Sequence, residues 1–168
     1  MAKFINWKRN WRNGNLQLFV DGIQKGALTF EMWRSNAYTL FEDKNYAFEN
    51  KGFWKCTTTV TDRNTNEVVA IISYDNWKSK ALISLKSGEQ YEWKATSSWR
   101  SAWTVSNNNG IQIDYQASGS SGAISSAGDN DLLIVAGLFI KQIYNKKAAV
   151  MVACIIPVIT TTITRHHG

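Results

Sequence analysis

DLLIVAGLFIKQIYNKKAAVMVACIIPVI, residues 131–159, is the most apolar stretch of the chain, and its reading decides the fold. Two outcomes compete, a membrane anchor or the buried centre of a globular domain. Residues 132–144 are apolar almost all round, broken only by Lys141 and Gln142, so as a helix they need burial on every side. Gly128-Asp129-Asn130-Asp131 places capping residues in front of them, and its acids suit the positive end of a helix. At about 1.5 Å per residue this first run reaches roughly 20 Å, short of a hydrocarbon core about 30 Å thick. Asn145-Lys146-Lys147 then interrupts the pattern and is expected in water. The second run, Ala148 to Ile159, would be about 18 Å long and is also too short to span alone. Joining the two would place Lys146 and Lys147 in hydrocarbon at roughly 2.5–3.5 kcal/mol each. The expectation is therefore a core helix over 131–145 and a second short apolar helix over 148–159. Three partners stay open for the second run: the barrel's exterior, a second copy or other protein partner, and a membrane interface. TTTITRHHG beyond it reads as a frayed tail.

The residues before this stretch supply what the first run could fill. From Asn15 to about Ser126 the chain reads as ten or eleven short strands separated by turn residues. Leu16, Leu18 and Val20 alternate with polar neighbours, and Asp21-Gly22 closes that run as a hairpin turn would. Turn clusters at Ser35-Asn36, Lys51-Gly52, Arg63–Asn66 and Asn107–Gly110 punctuate the rest. Connections this short belong to an antiparallel meander. Most strands alternate, which predicts one buried face; EVVAIISY, a continuous apolar run, is expected to be buried on both. A meander of this many strands should close, because open sheets leave exposed edges. Closure yields a barrel too wide for its own side chains to fill, and Leu133, Val135, Leu138 and Phe139 are the candidate residues to fill it.

Composition bounds the rest. The 168 residues carry eight Trp, six Tyr and seven Phe against one Pro, a bias towards β structure in a mainly β domain. The net charge of +6 is uneven. Residues 1–12 contribute +4, residues 13–130 hold 11 bases against 12 acids, and residues 131–168 contribute +3. Basic ends on a neutral middle suit anionic lipid better than nucleic acid, which usually meets a basic folded face. The organisation reads as a basic aromatic segment over 1–12, a barrel with its helix over 13–145 and an apolar extension over 146–168. MAKFINWKRNWRN lacks the apolar centre of a secretory signal, and Cys56 and Cys154 lack metal or disulfide spacing, so the expected location is cytoplasmic, at the periphery of a membrane.

Catalytic chemistry has few candidates. His166 and His167, the only histidines, lie at the end of the chain, leaving a Ser or Cys nucleophile without a base. GSSG at 119–122 lacks the Lys and spacing of a phosphate-binding loop. No catalytic residue, metal or cofactor is expected. The N-terminal KFINWKRNWRN is more informative. Phe4, Trp7 and Trp11 fall on one face of a helix with Lys8, Arg9 and Arg12 around them, the composition of an interfacial lipid-binding helix. The competing reading makes this segment the first strand of the barrel. Trp7, Lys8, Arg9, Trp11, Arg12, Lys146 and Lys147 are thus the candidate lipid-binding residues. Trp33, Trp54, Trp77, Trp93, Trp99 and Trp103 read as packing, with Trp99, Arg100 and Trp103 a weaker aromatic and basic patch.

The strand pairs in GALTFEMW, FWKCTTTVTD, EVVAIISY and ISLKSGEQYEWKA, followed by NDLLIVAGLFIKQIY, together resemble the tubby-like superfamily: Tubby C-terminal domains, phospholipid scramblases and LURP-one-related proteins. The resemblance covers about residues 13–145. It implies a closed barrel of about twelve antiparallel strands around a hydrophobic C-terminal helix. It also implies lipid binding of the phosphoinositide type, although the basic residues that serve Tubby domains have no residue-by-residue match here. Scramblases carry an acidic calcium-binding segment near the helix. Here Asp129, Asn130 and Asp131 fall short of the six to eight oxygens calcium takes, and a helix cap is their expected role. The expected function is a non-enzymatic domain bound peripherally to anionic membrane lipid. The alternatives are a scaffold that uses 148–159 for a partner or for self-association, and a scramblase-like protein or carrier of lipid or a small ligand.

Overall fold

The computed structural model describes residues 2–31, 35–52, 57–75 and 77–165, with side chains described as far as Ala149. Twelve strands precede one helix: β1 (Ala2–Arg9), β2 (Leu16–Val20), β3 (Ile23–Phe30), β4 (Ala37–Phe41), β5 (Lys44–Lys51), β6 (Thr57–Asp62), β7 (Glu67–Asp75), β8 (Lys80–Leu85), β9 (Gln90–Ala95), β10 (Ala102–Ser106), β11 (Gln112–Ser118), β12 (Ser121–Ala127) and α1 (Asp131–Arg165). Each strand pairs antiparallel with its neighbour in sequence, and β1 pairs with β12 over Ala2↔Ala127 to Lys8↔Ser121, closing the barrel. Closure leaves no free edge for another chain to extend.

Alternation sets the inside. Leu16 and Leu18 of β2, Thr39 and Phe41 of β4, Tyr46 and Phe48 of β5, and Tyr91 and Trp93 of β9 are buried, with more exposed residues between them. The space they enclose is filled by α1, whose residues 133–144 are all buried. A helix apolar on one side only would leave polar groups against this wall; one apolar all round does not. Leu133, Val135, Leu138 and Phe139 lie inside as expected, and Phe48 stacks on Phe139 at 4.6 Å between ring centroids. Two polar aromatics fasten wall to helix. Trp93 Nε1 donates to the Gly137 carbonyl at 3.1 Å, and the Tyr115 hydroxyl donates to the Leu133 carbonyl at 2.8 Å. Gly137 makes room for this, since a Cβ there would stand 2.3 Å from the Tyr115 hydroxyl oxygen.

Gly122 plays the same part in the wall. It lies opposite Trp7 in the register, and a Cβ on it would meet the Trp7 ring at 2.5 Å, so the indole lies over the bare backbone. The Asp21-Gly22 turn has positive φ at both residues (51° and 77°), the geometry that matches strand twist in a two-residue hairpin.

One open choice is decided and three sequence expectations change. Of the two readings of the segment 1–12, the strand holds and the amphipathic helix does not, because Ala2–Arg9 form the strand that closes the barrel. Ile5 and Trp7 satisfy a period of two, which leaves Phe4 on the outer face, and unpaired edges on β2 and β12 make the strand the stable choice. β7 is not buried on both faces: Ala70 and Ile72 point in, while Val68 and Ile71 are exposed on the barrel's outer wall. The second apolar helix over 148–159 is not a separate element, because α1 continues helical through Asn145-Lys146-Lys147. Lysine favours helix, and beyond the barrel these polar side chains are solvated without breaking it. The tail is helical as far as Arg165, and residues 166–168 lie outside the described residues.

Candidate functional site

The strands and α1 together define two ends of the barrel. α1 enters at the end that holds Asp131 and leaves at the other, where the Tyr144 hydroxyl donates to the carbonyls of Asp75 and Lys80, at the junction of β7 and β8. β1 runs from the entry end towards the exit end, so its basic finish, Lys8 and Arg9, and the following Trp11 and Arg12 come to the end from which Lys146 and Lys147 emerge. The two basic termini of the sequence are therefore neighbours in space. Arg9 reaches into the mouth and donates to the Gln142 side-chain carbonyl. Lys8 is exposed on the outer wall, and Trp7 is buried inside it. Of the seven candidate lipid-binding residues, six are grouped at the exit end in reach of solvent, and Trp7 serves the core.

The connections between strands differ by end. At the exit end they are residues 10–15, 31–36, 52–56, 76–79, 96–101 and 119–120. Among the described residues, three of them hold a Trp followed at once by a base: Trp11-Arg12, Trp77-Lys78 and Trp99-Arg100. Their one acid among the described residues is Glu31. At the entry end the connections are 21–22, 42–43, 63–66, 86–89, 107–111 and 128–130. These hold no Trp, and Asp21, Glu42, Asp43, Glu89 and Asp129 outnumber Arg63 and Lys86. Trp33, Arg34, Trp54 and Lys55 lie outside the described residues. The other three Trp are 85%, 96% and 92% exposed at positions 11, 77 and 99.

Short polar side chains build the loops that hold these tryptophans outward. Asn10 Oδ1 accepts from the Arg12 amide at 2.9 Å, and Asp75 Oδ1 accepts from the Trp77 and Lys78 amides at 3.1 and 3.2 Å. Ser97 Oγ accepts from the Ser101 and Ala102 amides, and Arg100 takes a positive φ of 52°. With the backbone donors satisfied locally, the loops need no contact from the tryptophans. The Arg12 guanidinium lies 5.0 Å from the Trp11 ring and the Arg100 guanidinium donates to Ser79 Oγ at 2.9 Å, linking two neighbouring loops.

Around α1 the exit mouth is lined by cations set on aromatic faces. Lys141 lies 5.5 Å from the Trp103 ring, Lys146 lies 5.7 Å from Phe30 and Lys147 lies 4.9 Å from Tyr74. Burial, and then the nearby Arg100, lower the Lys141 ammonium to about 8 from its ordinary 10.5. The entry mouth is built the opposite way. Lys3 pairs with Asp131 at 2.8 Å and with Glu42 at 2.9 Å. Burial lowers the Lys3 ammonium, but hydrogen bonds and attraction to those two carboxylates outweigh it and leave it raised.

Sequence reasoning missed Trp77, which it reads as packing; of its weaker patch Trp99, Arg100 and Trp103, the structure exposes Trp99 and buries Trp103 in the core. The signal was present, since seven of the eight Trp precede a Lys or Arg, but strand and loop tryptophans share it. Trp7-Lys8 and Trp93-Lys94 lie in strands with the indole inside and the lysine exposed outside. Only the barrel's topology brings Trp11, Trp77 and Trp99 to one end.

Among the described residues, no helix is long and apolar enough to cross a membrane, and no three of His, Cys, Asp and Glu come together as a metal-binding group. No family model matches the chain, and no curated protein or solved structure matches it either.

Proposed function

We propose that this chain is a non-enzymatic, tubby-like barrel that binds peripherally to membranes containing anionic lipid, using the end from which α1 leaves. The observation that carries the reading is the segregation of the connections: Trp with Lys or Arg at one end, acids without Trp at the other. Trp prefers the headgroup level of a bilayer, and a base beside an anionic membrane surface contributes about 1 kcal/mol. The tubby-like assignment draws support from the closed twelve-strand antiparallel barrel with one C-terminal helix. The occupied centre of the barrel favours surface binding over carriage of a ligand inside. Co-sedimentation with vesicles of phosphatidylcholine alone and with 30% phosphatidylserine tests the reading. The expected result is binding that depends on the anionic lipid and weakens with salt; equal failure to bind both kinds of vesicle would sink it.

A further inference from the structure

Because the strands follow one another round the barrel as a meander, a connection leaves the exit end at every second strand. Six such connections around a twelve-strand ring stand about 60° apart. The β1–β2 connection, which carries Trp11, and the β7–β8 connection, which carries Trp77, are separated by half the ring in either direction. Strands about 4.8 Å apart and tilted about 40° give a twelve-strand barrel a diameter of roughly 24 Å. Trp11 and Trp77 therefore stand on opposite sides of the molecule, both nearly fully exposed. They are too far apart to close on one small ligand. A flat surface approaching the side of the barrel reaches one and leaves the other about 20 Å away. A flat surface approaching the end reaches both.

We propose that the barrel docks end-on, with its axis upright on the membrane and its Trp–Lys/Arg pairs forming a collar in the interfacial layer of an anionic bilayer. This orientation rests on the lipid-binding reading above. Each pair supplies an indole for the boundary between headgroup and acyl chain and a cation for the phosphate beside it. α1 leaves through the middle of the collar, and its sequence turns apolar from Ala148 onward, where an upright barrel points it into the bilayer. A rod-like polyanion would meet an apolar projection at the centre of its footprint, whereas a bilayer has a place for one. The entry end, lacking Trp and richer in acid, faces away from the lipid.

Hydroxyl-radical footprinting of the full chain, read by mass spectrometry residue by residue, tests the orientation. The probe is a vesicle of phosphatidylcholine with 30% phosphatidylserine, added until co-sedimentation shows the protein bound. End-on docking predicts severalfold protection of Trp11, Trp77 and Trp99 together, with Phe4 on the outer wall and Ile23 at the entry end unchanged. Protection of Trp11 or of Trp77 alone, in protein that is bound, overturns the upright orientation and leaves lipid binding standing. Absence of binding overturns both. As a second measurement, Trp11→Ser and Trp77→Ser should each weaken vesicle affinity by a similar factor of about three to ten. A variant on one side that has no effect on affinity contradicts the collar.

Discussion

The two ends of the barrel are built from the same strands, yet they handle charge in opposite ways. At the entry end a lysine is matched to its acids, Lys3 to Asp131 and Glu42, in a partly buried cluster where the helix begins. At the exit end lysines rest on ring faces, and Arg12, Lys78 and Arg100 ring the mouth with three nearly bare tryptophans. Matched charges at a helix N-terminus stabilise the fold. Exposed indoles and like charges gathered in one place do nothing for the fold; they repel one another and leave apolar surface in water. The contrast sets an end whose charges are matched within the fold against an end whose cations and indoles face outward, as the proposed docking on an anionic surface requires.

This division can be broken by substitution, and the largest effect belongs to neither end. Gly137 lies midway along the buried part of α1, where a side chain would strike the Tyr115 phenol. Gly137→Val should overpack the centre and strip the Tyr115 hydroxyl of its carbonyl, costing roughly 3 kcal/mol in urea denaturation. A cost below about 1 kcal/mol would mean that the helix is not held as tightly as these contacts imply. Next in size is Lys3→Met, which leaves two acids unmatched at the entry mouth. Its expected cost is about 1–2 kcal/mol, reduced from that of a fully buried pair by partial solvation, with vesicle affinity unchanged.

The same contrast has a pH signature of opposite sign at the two ends. Lys141 titrates near 8 in the folded chain and near 10.5 when unfolded, so between those values the unfolded state holds more protons. Stability should therefore rise with pH across that window, by at most about 3 kcal/mol and by less where solvent screens the site. Lys141→Met should reduce the rise in melts taken at pH 8, 9 and 10, leaving the part that belongs to Lys146, whose ammonium burial also lowers. Lys3, whose folded value is raised, contributes stability that is present below 10.5 and lost as the pH climbs through that raised value. The smallest effect on stability belongs to the collar. Trp99→Ser should alter unfolding free energy by less than about 0.5 kcal/mol while weakening vesicle binding.

Much of this was legible in the chain itself. Alternation and turn residues gave the strands, and an all-round apolar run too short for a bilayer gave the helix at the centre. Three things were hidden, each for a physical reason. KFINWKR satisfies two periods at once, so only the demand of β2 and β12 for a partner makes it a strand. Asn145-Lys146-Lys147 looks like a break because polarity changes there, but polarity reports the end of the barrel, not the end of the helix. The collar could not be read because a Trp-Lys pair in a strand and one in a loop look alike until the closed topology assigns every second connection to one end. The basic termini are grouped as lipid-binding candidates by composition alone, and the fold brings Lys8, Arg9, Lys146 and Lys147 to the same end of the barrel.

The measurement that bears most directly on the account is a vesicle co-sedimentation titration of two triple variants beside the parent chain. One removes the exit tryptophans, Trp11→Ser with Trp77→Ser and Trp99→Ser; the other removes entry acids, Asp21→Asn with Asp43→Asn and Glu89→Gln. The account predicts that the first loses at least about tenfold in affinity for phosphatidylserine vesicles at unchanged urea stability, while the second binds at least as well as the parent. Equal losses in the two variants, or full affinity in the first, would contradict it.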